Sequence, residues 1–219
     1  MSMGVGDEDR SESGDVRAYH HGQLHDALLE AGLDLARQGG PDALVVRELS
    51  RRVGVSHNAA YRHFPDRDAL LAAVAARCMA LFAVLIERRV GAVPPDGDQV
   101  ALAMARLRAC GQAYLEFALT EPGLFHTAFS PPTPYTEQIW HTGVGESGLT
   151  PYELLGVRLD ELVAVGALPA ERRPGAELSA WSAVHGYATL LLDGPLRGMS
   201  PDDRTRGMDQ LLATVHRGL

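Results

Sequence analysis

Apolar residues recur along this chain at steps of three and four, and no segment alternates convincingly at steps of two. That period is helical. Leu24, Leu28, Ala31 and Leu35 make the first stripe, on a helix that starts near Tyr19 and stops at Gly39-Gly40-Pro41. A short second helix is predicted over Val46 to Val53, then a tight turn at Gly54-Val55. Ser56 is placed as N-cap of a third short helix, His57 to His63, which Pro65 ends. Asp66 caps a long fourth helix reaching Val90. It carries two adjacent stripes, Leu71, Val74, Cys78, Leu81 and Leu85 beside Ala75, Met79, Phe82 and Ile86, so more than a narrow seam must be buried. Val93 to Gly97 is a linker. The fifth helix follows Val100, Met104, Leu107, Gly111, Tyr114 and Ala118, and Glu121-Pro122-Gly123 breaks it. Leu124 to Phe129 is a short helix, 130–148 a long loop carrying Trp140, and helices resume over 151–166, 176–192 and 202–217. The chain reads as all-α, with about nine helices and no internal repeat.

Composition narrows the class. With 219 residues, 46% hydrophobic and 22% charged, the chain is globular in type. The first 16 residues hold five acids, one arginine and almost nothing to bury, and read as a disordered acidic tail. The longest apolar stretch, Leu70 to Ile86, is interrupted by Arg77, so no membrane span is expected. The N-terminus lacks the basic start and apolar core of a secretory signal. Cys78 and Cys110 are too few for a disulfide framework or a four-cysteine zinc site, and the default address is cytoplasmic. Both read as buried, small apolar residues. The net charge of −8 excludes a general nucleic-acid coat but allows a local cationic face on an acidic body.

That face is residues 44–64, LVVRELSRRVGVSHNAAYRHF, with four arginines against one acid plus His57 and His63. Short helix, glycine turn and capped short helix form a helix-turn-helix arrangement. Ser50, Ala59 and Ala60 are small enough to let the two helices approach. The helix from Ser56 to His63 is roughly 12 Å long, the width of a major groove. His57 and Asn58 lie at its start, where base edges are reached; Asn pairs with adenine, and Arg62 suits guanine or phosphate.

The run Leu49-Ser50, Val53-Gly54-Val55-Ser56, Tyr61, His63-Phe64, then Asp66-Arg67-Asp68 and Leu70-Leu71, resembles the tetracycline-repressor (TetR) family of transcriptional regulators. Farther on, Trp181-Ser182-Ala183-Val184-His185-Gly186 resembles the Trp-His-Gly signature of one C-terminal domain type of that family. The chain departs from the pattern at Ala59, where Thr is usual, at Ser50 (Ala), at Arg67 (Lys) and at Asn58 (a small residue). The resemblance implies that Tyr61, His63 and Arg67 bind the DNA backbone, that Arg47 lies close to phosphate, and that Ser56, His57, Asn58 and Arg62 belong to the same surface. Residues 17–64 then form a DNA-binding head, and 65–219 an effector-binding and dimerisation body. The partners implied are a palindromic double-stranded operator, a second copy of the chain and a small, mostly hydrophobic effector that releases a repressor.

An inducer pocket in this body would be lined by Met79, Phe82, Met104, Leu107, Tyr114, Phe117, Phe125, Trp140, Trp181 and His185, the same residues that could simply be core. The resemblance puts the dimer seam on the last two long helices, with Leu178, Trp181, Val184, Ala188 and Leu191 on one face and Met208, Leu211, Leu212 and Val215 on the other. His20, His21 and His25 read as a solvated or phosphate-facing patch, and no metal or cofactor is expected. No nucleophile triad or carboxylate pair can be tied together by local spacing, so no enzyme is expected. The rival reading is a helical dimeric binding protein or enzyme that has lost DNA binding, with Ala59 as its best support.

Overall fold

Five helix starts are set by side chains that accept the backbone N–H three residues on. Ser56, Asp66, Asp98, Thr150 and Ser200 do so at 3.2, 2.7, 2.9, 3.3 and 3.2 Å. Each satisfies a donor that a helix end otherwise leaves unpaired. Thr150 and Glu153 form a reciprocal capping box. The computed structural model describes the backbone of residues 11–130 and 143–218, and side chains at 23–130, 143–215 and 217–218.

Among the described residues the regular structure is nine α-helices and two 3-10 turns, with no strand. They are α1 (Ser11–Gly39), α2 (Val46–Val53), α3 (His57–His63), α4 (Arg67–Gly91), α5 (Gln99–Thr120), α6 (Pro122–Ala128), α7 (Pro151–Ala164), α8 (Ala176–Leu192) and α9 (Pro201–Gly218). The turns are Gly40–Ala43 and Ala170–Arg172. The first helix begins at Ser11 rather than near Tyr19, so residues 11–16 are helical and not a disordered tail. The first ten residues, and 131–142 of the expected loop with Trp140, lie outside the described residues.

Helix α4 is the hub, packed by α1, α5, α6 and α7. Leu70, Val74, Cys78, Phe82 and Ile86 are all buried along it. It is long and apolar enough to cross a membrane by length and composition, contrary to the expectation that Arg77 would prevent this. Its wide apolar face is instead covered by neighbouring helices, and Arg77 pairs at the surface with Glu30 of α1 at 3.6 Å. Burial drives the thiols of Cys78 and Cys110 up to about 12, so both are protonated apolar fillers at neutral pH.

One hydrophobic cluster runs from Leu28 in α1 through Leu49, Phe64 and Val74 to Tyr114, Val184 and Met208. The head is thus continuous with the body. A second cluster of Ala103, Leu107, Leu159, Leu162, Leu168 and Ala176 joins α5, α7 and α8. Gly32 makes the α1–α4 approach: a Cβ there would sit 2.7 Å from Val74 Cγ2. Glu87 holds the chain before α7 against α4, accepting the Glu146 and Ser147 backbone N–H groups at 2.9 Å each.

Candidate nucleic-acid interface and effector cavity

In α2, Val46, Leu49 and Ser50 turn inward, which leaves Arg47, Arg51 and Arg52 on the outer side. Gly54 takes φ 75°, ψ 29°, a left-handed cap that suits glycine. Its N–H and that of Val55 both return to the Ser50 carbonyl. In helix α3 only Ala60 is fully buried. Ser56, His57, Asn58, Tyr61 and Arg62 are exposed, Tyr61 at 47%. An aromatic ring so exposed on a basic face contributes little to the core.

The arginines divide into two groups. Arg51 reaches Glu48 at 2.7 Å, and Arg52 reaches Glu48 at 3.3 Å and Gln38 Oε1 at 2.7 Å. Arg47 and Arg62 have no acidic partner among the described residues. Val45, Arg47, Glu48, Arg51 and His57 line a shallow groove between the starts of α2 and α3. Arg67 donates to the Pro41 carbonyl at 2.8 Å and pairs with Asp42 at 3.4 Å. To meet phosphate it must exchange these for a new partner. His63 is half-buried, its ring centroid 5.8 Å from His25, which in turn lies 5.5 Å from Phe64. His25 thus touches the α1–α3 seam while its side chain stays 41% exposed; the side chains of His20 and His21 lie outside the described residues.

The Arg51 hydrogen bonds lower the Glu48 carboxyl to about 2; desolvation opposes them and Arg52 adds to them. A depressed carboxylate favours the folded state above its ordinary value of 4.5 and loses that contribution as pH falls towards about 2. An NMR titration of the Glu48 side-chain carbon is expected to show its midpoint near about 2, rising towards the ordinary range in Arg51→Ala. A wild-type midpoint near 4.5 would contradict the pairing.

The body holds a cavity of about 700 Å³ between α4, α5, α6, α7, α8 and α9. Of the residues expected to line it, Met79, Phe82, Met104, Leu107, Tyr114 and Trp181 do so. Phe117 and Phe125 do not: Phe117 stacks on Phe82 at 5.1 Å, and Phe125 stacks on His185 at 5.6 Å. They support the wall from behind. His185 also lies outside the lining, tied to it through Tyr114. Residues the sequence reading missed include Phe129 from the end of α6, Tyr152 and Leu155 from α7, and Arg108 with Asp209, an ion pair beside the cavity. No local pattern marked these, since each is brought in by packing of distant elements.

Tyr114 is a polar point of the wall near its aromatic side. Trp181 Nε1–H donates to its oxygen at 3.3 Å, and the same hydroxyl is hydrogen-bonded to His185 Nδ1 at 2.6 Å. Burial raises the phenol above its usual value and lowers the imidazole, so both are neutral. Tyr114→Phe removes the shared oxygen from both contacts and is expected to cost about 1–2 kcal/mol in denaturant unfolding. An unchanged midpoint would show that the relay adds nothing to stability.

The dimer-seam residues require correction. Val184, Ala188, Leu191 and Met208 are 7%, 0%, 3% and 3% exposed within the single chain, where they close its own core. Trp181, Leu212 and Val215 line the cavity, and Leu212 also covers Gly111, where a Cβ would meet its Cδ2 at 2.6 Å. Leu211 packs against the main cluster. Of the nine, only Leu178 is exposed, at 52%; Leu190, which the sequence reading omitted, is 43% exposed.

Known proteins carry the same arrangement. The family model "Bacterial regulatory proteins, tetR family" matches residues 28–74, and "Tetracyclin repressor-like, C-terminal domain" matches 107–215. The chain is 33% identical over 111 residues to the tetracycline repressor protein class A from transposon 1721 of Escherichia coli. That match covers 50% of this chain and 48% of the relative, so it spans about half the length of the curated protein. A tetR family transcription regulator from Shewanella sp. PV-4 superposes with a TM-score of 0.57 at 18% identity, over 87% of this chain and 96% of that one. A structure described as the molecular basis for control of antibiotic production by bacterial hormones gives 0.57 at 21% identity, over 88% and 97%. With the helix-turn-helix head and the helical body each matched in order, this chain belongs to the TetR family of bacterial transcriptional regulators.

Proposed function

We propose that the chain is a ligand-responsive repressor that binds a palindromic operator as a homodimer and is released by a small, mostly apolar effector. The observation that carries this is the junction of head and cavity. Helix α6 supplies Ala128 and Phe129 at one end to the cavity region and lays Gly123 on the last turn of α1 at the other. Arg37 of α1 reaches Glu121 at 3.3 Å beside that seat. Helix α4 runs from the head at Asp66 past the cavity at Met79, Phe82 and Ile86. An occupant that shifts either helix re-aims the head.

The effector acts only if it binds the two head spacings with different affinity. Two heads on a two-fold axis engage half-sites ~34–36 Å apart. The exposed stripe of α8, Leu178, Ser182, Gly186 and Leu190, supports a seam there with a second copy, packed as a four-helix bundle with α9. Trp181, His185 and Gly186 support assignment of the body to the Trp-His-Gly type. The protein works by binding rather than catalysis, on DNA in the cytoplasm.

Sequencing DNA selected by the purified protein, with and without candidate small molecules, tests the proposal. A recurrent two-fold symmetric motif, lost on adding an apolar compound that also raises thermal stability, is the expected result. Selection of no motif at near-physiological salt overturns it and favours the binding-protein reading.

A further inference from the structure

Ser50 is buried to 1% exposure in α2, facing the start of α3. Its hydroxyl has one proton and two polar neighbours: the Arg47 carbonyl oxygen at 2.9 Å and His57 Nδ1 at 3.1 Å. A carbonyl oxygen only accepts, so the proton between the two oxygens is the serine's. The serine oxygen then meets His57 with a lone pair. Both contacts are bonds only when His57 Nδ1 carries the ring hydrogen. A neutral imidazole has a single N–H, so Nε2 keeps its lone pair.

His57 opens α3 on the exposed face and lines the groove beside Arg47. With Nδ1 held inward by Ser50, the edge left for a partner is an acceptor. Phosphate oxygens also only accept, so this ring does not grip the DNA backbone. In the major groove cytosine N4 and adenine N6 donate, while the guanine N7 and O6 and thymine O4 accept.

We propose that Ser50 is a positioning residue that holds His57 in the Nδ1–H tautomer, so that His57 reads a base bearing an amino group, cytosine or adenine. This rests on the DNA-binding reading of the head. The TetR pattern often carries Ala where Ser50 stands, and without the hydroxyl the ring has nothing to fix its hydrogen.

Two measurements on the full-length protein test it. Long-range 15N–1H correlation spectra, recorded well above the ordinary imidazole value of about 6.5, read the tautomer without DNA. Wild type is expected to show a protonated Nδ1 and a bare Nε2 at His57, and Ser50→Ala a shift towards protonated Nε2. A wild-type ring protonated on Nε2, or a tautomer unchanged by Ser50→Ala, overturns the lock. In DNA selection, wild type is expected to enrich cytosine or adenine at one position per half-site by about fivefold, and Ser50→Ala by less than about twofold. A uniform loss of affinity with base preference intact overturns the positioning role and leaves Ser50 merely structural. If wild type selects no DNA, the base-reading role falls together with the DNA-binding reading, whatever tautomer the spectra report.

Discussion

Gly123→Ala is expected to lower the unfolding temperature by about 6–12 °C, from a loss of about 3 kcal/mol at ~2–4 °C each. A Cβ at this position would lie 2.2 Å from the Ala36 carbonyl oxygen and 2.9 Å from that of Arg37. Both obstacles are backbone at the end of α1, so no rotamer change relieves them. Helix α6 must withdraw, opening the buried contacts of Leu124, Phe125 and Thr127 behind it. Gly91→Ala is the control: a Cβ there meets nothing within 4 Å. It should leave the transition within about 2 °C of wild type, since relief of glycine entropy is small and favourable. Equal behaviour of the two variants in a calorimetric scan would mean that α6 is not seated as described. Because α6 also borders the cavity, the same variant should weaken any coupling of effector to DNA.

Arg47→Ala is expected to weaken operator binding roughly tenfold near physiological salt and to flatten the log–log salt dependence by about 1.8, one phosphate contact in each of two heads. Arg47 stands in the first turn of α2, exposed and free of acidic partners among the described residues. Its charge is available without breaking an ion pair. The loss should be uniform over operator variants, because phosphate contacts position a module and do not read sequence. Arg51→Ala should cost less than half as much on the same logarithmic scale, since Arg51 is already committed to Glu48. Titrations at several salt concentrations decide this; an unchanged slope for Arg47→Ala would remove the phosphate assignment.

Chain order and helix boundaries in the head were legible because their causes are local. A left-handed glycine, a capping serine and a proline act within a few residues, and α2, Gly54 and α3 fall where those signals place them. The exposed basic edge was legible too, since Val46, Leu49 and Val53 face inward at helical spacing and leave the arginines outside. The tie of Arg67 was not legible because its partner, the Pro41 carbonyl, is 26 residues away and carries no sequence mark. The same holds for Ser50, which looked like a small packing residue until His57 was seen against its hydroxyl.

In the body the apolar stripes of α8 and α9 were legible as stripes, but Val184, Ala188, Leu191 and Met208 on them are covered by the chain itself. Hydrophobic period says that a face must be buried; it does not say whether the chain itself or a second copy buries it. The sequence alone therefore determined the helices, their caps, the glycine corner and the charge of the recognition face, all properties of consecutive residues. Only the tertiary structure decided that Val184, Ala188, Leu191 and Met208 close the monomer and that Arg67 is tied to the first interhelical turn. It alone revealed a space of about 700 Å³ among six elements, because a void forms where distant side chains fail to meet, and no stretch of sequence encodes contacts that are not made.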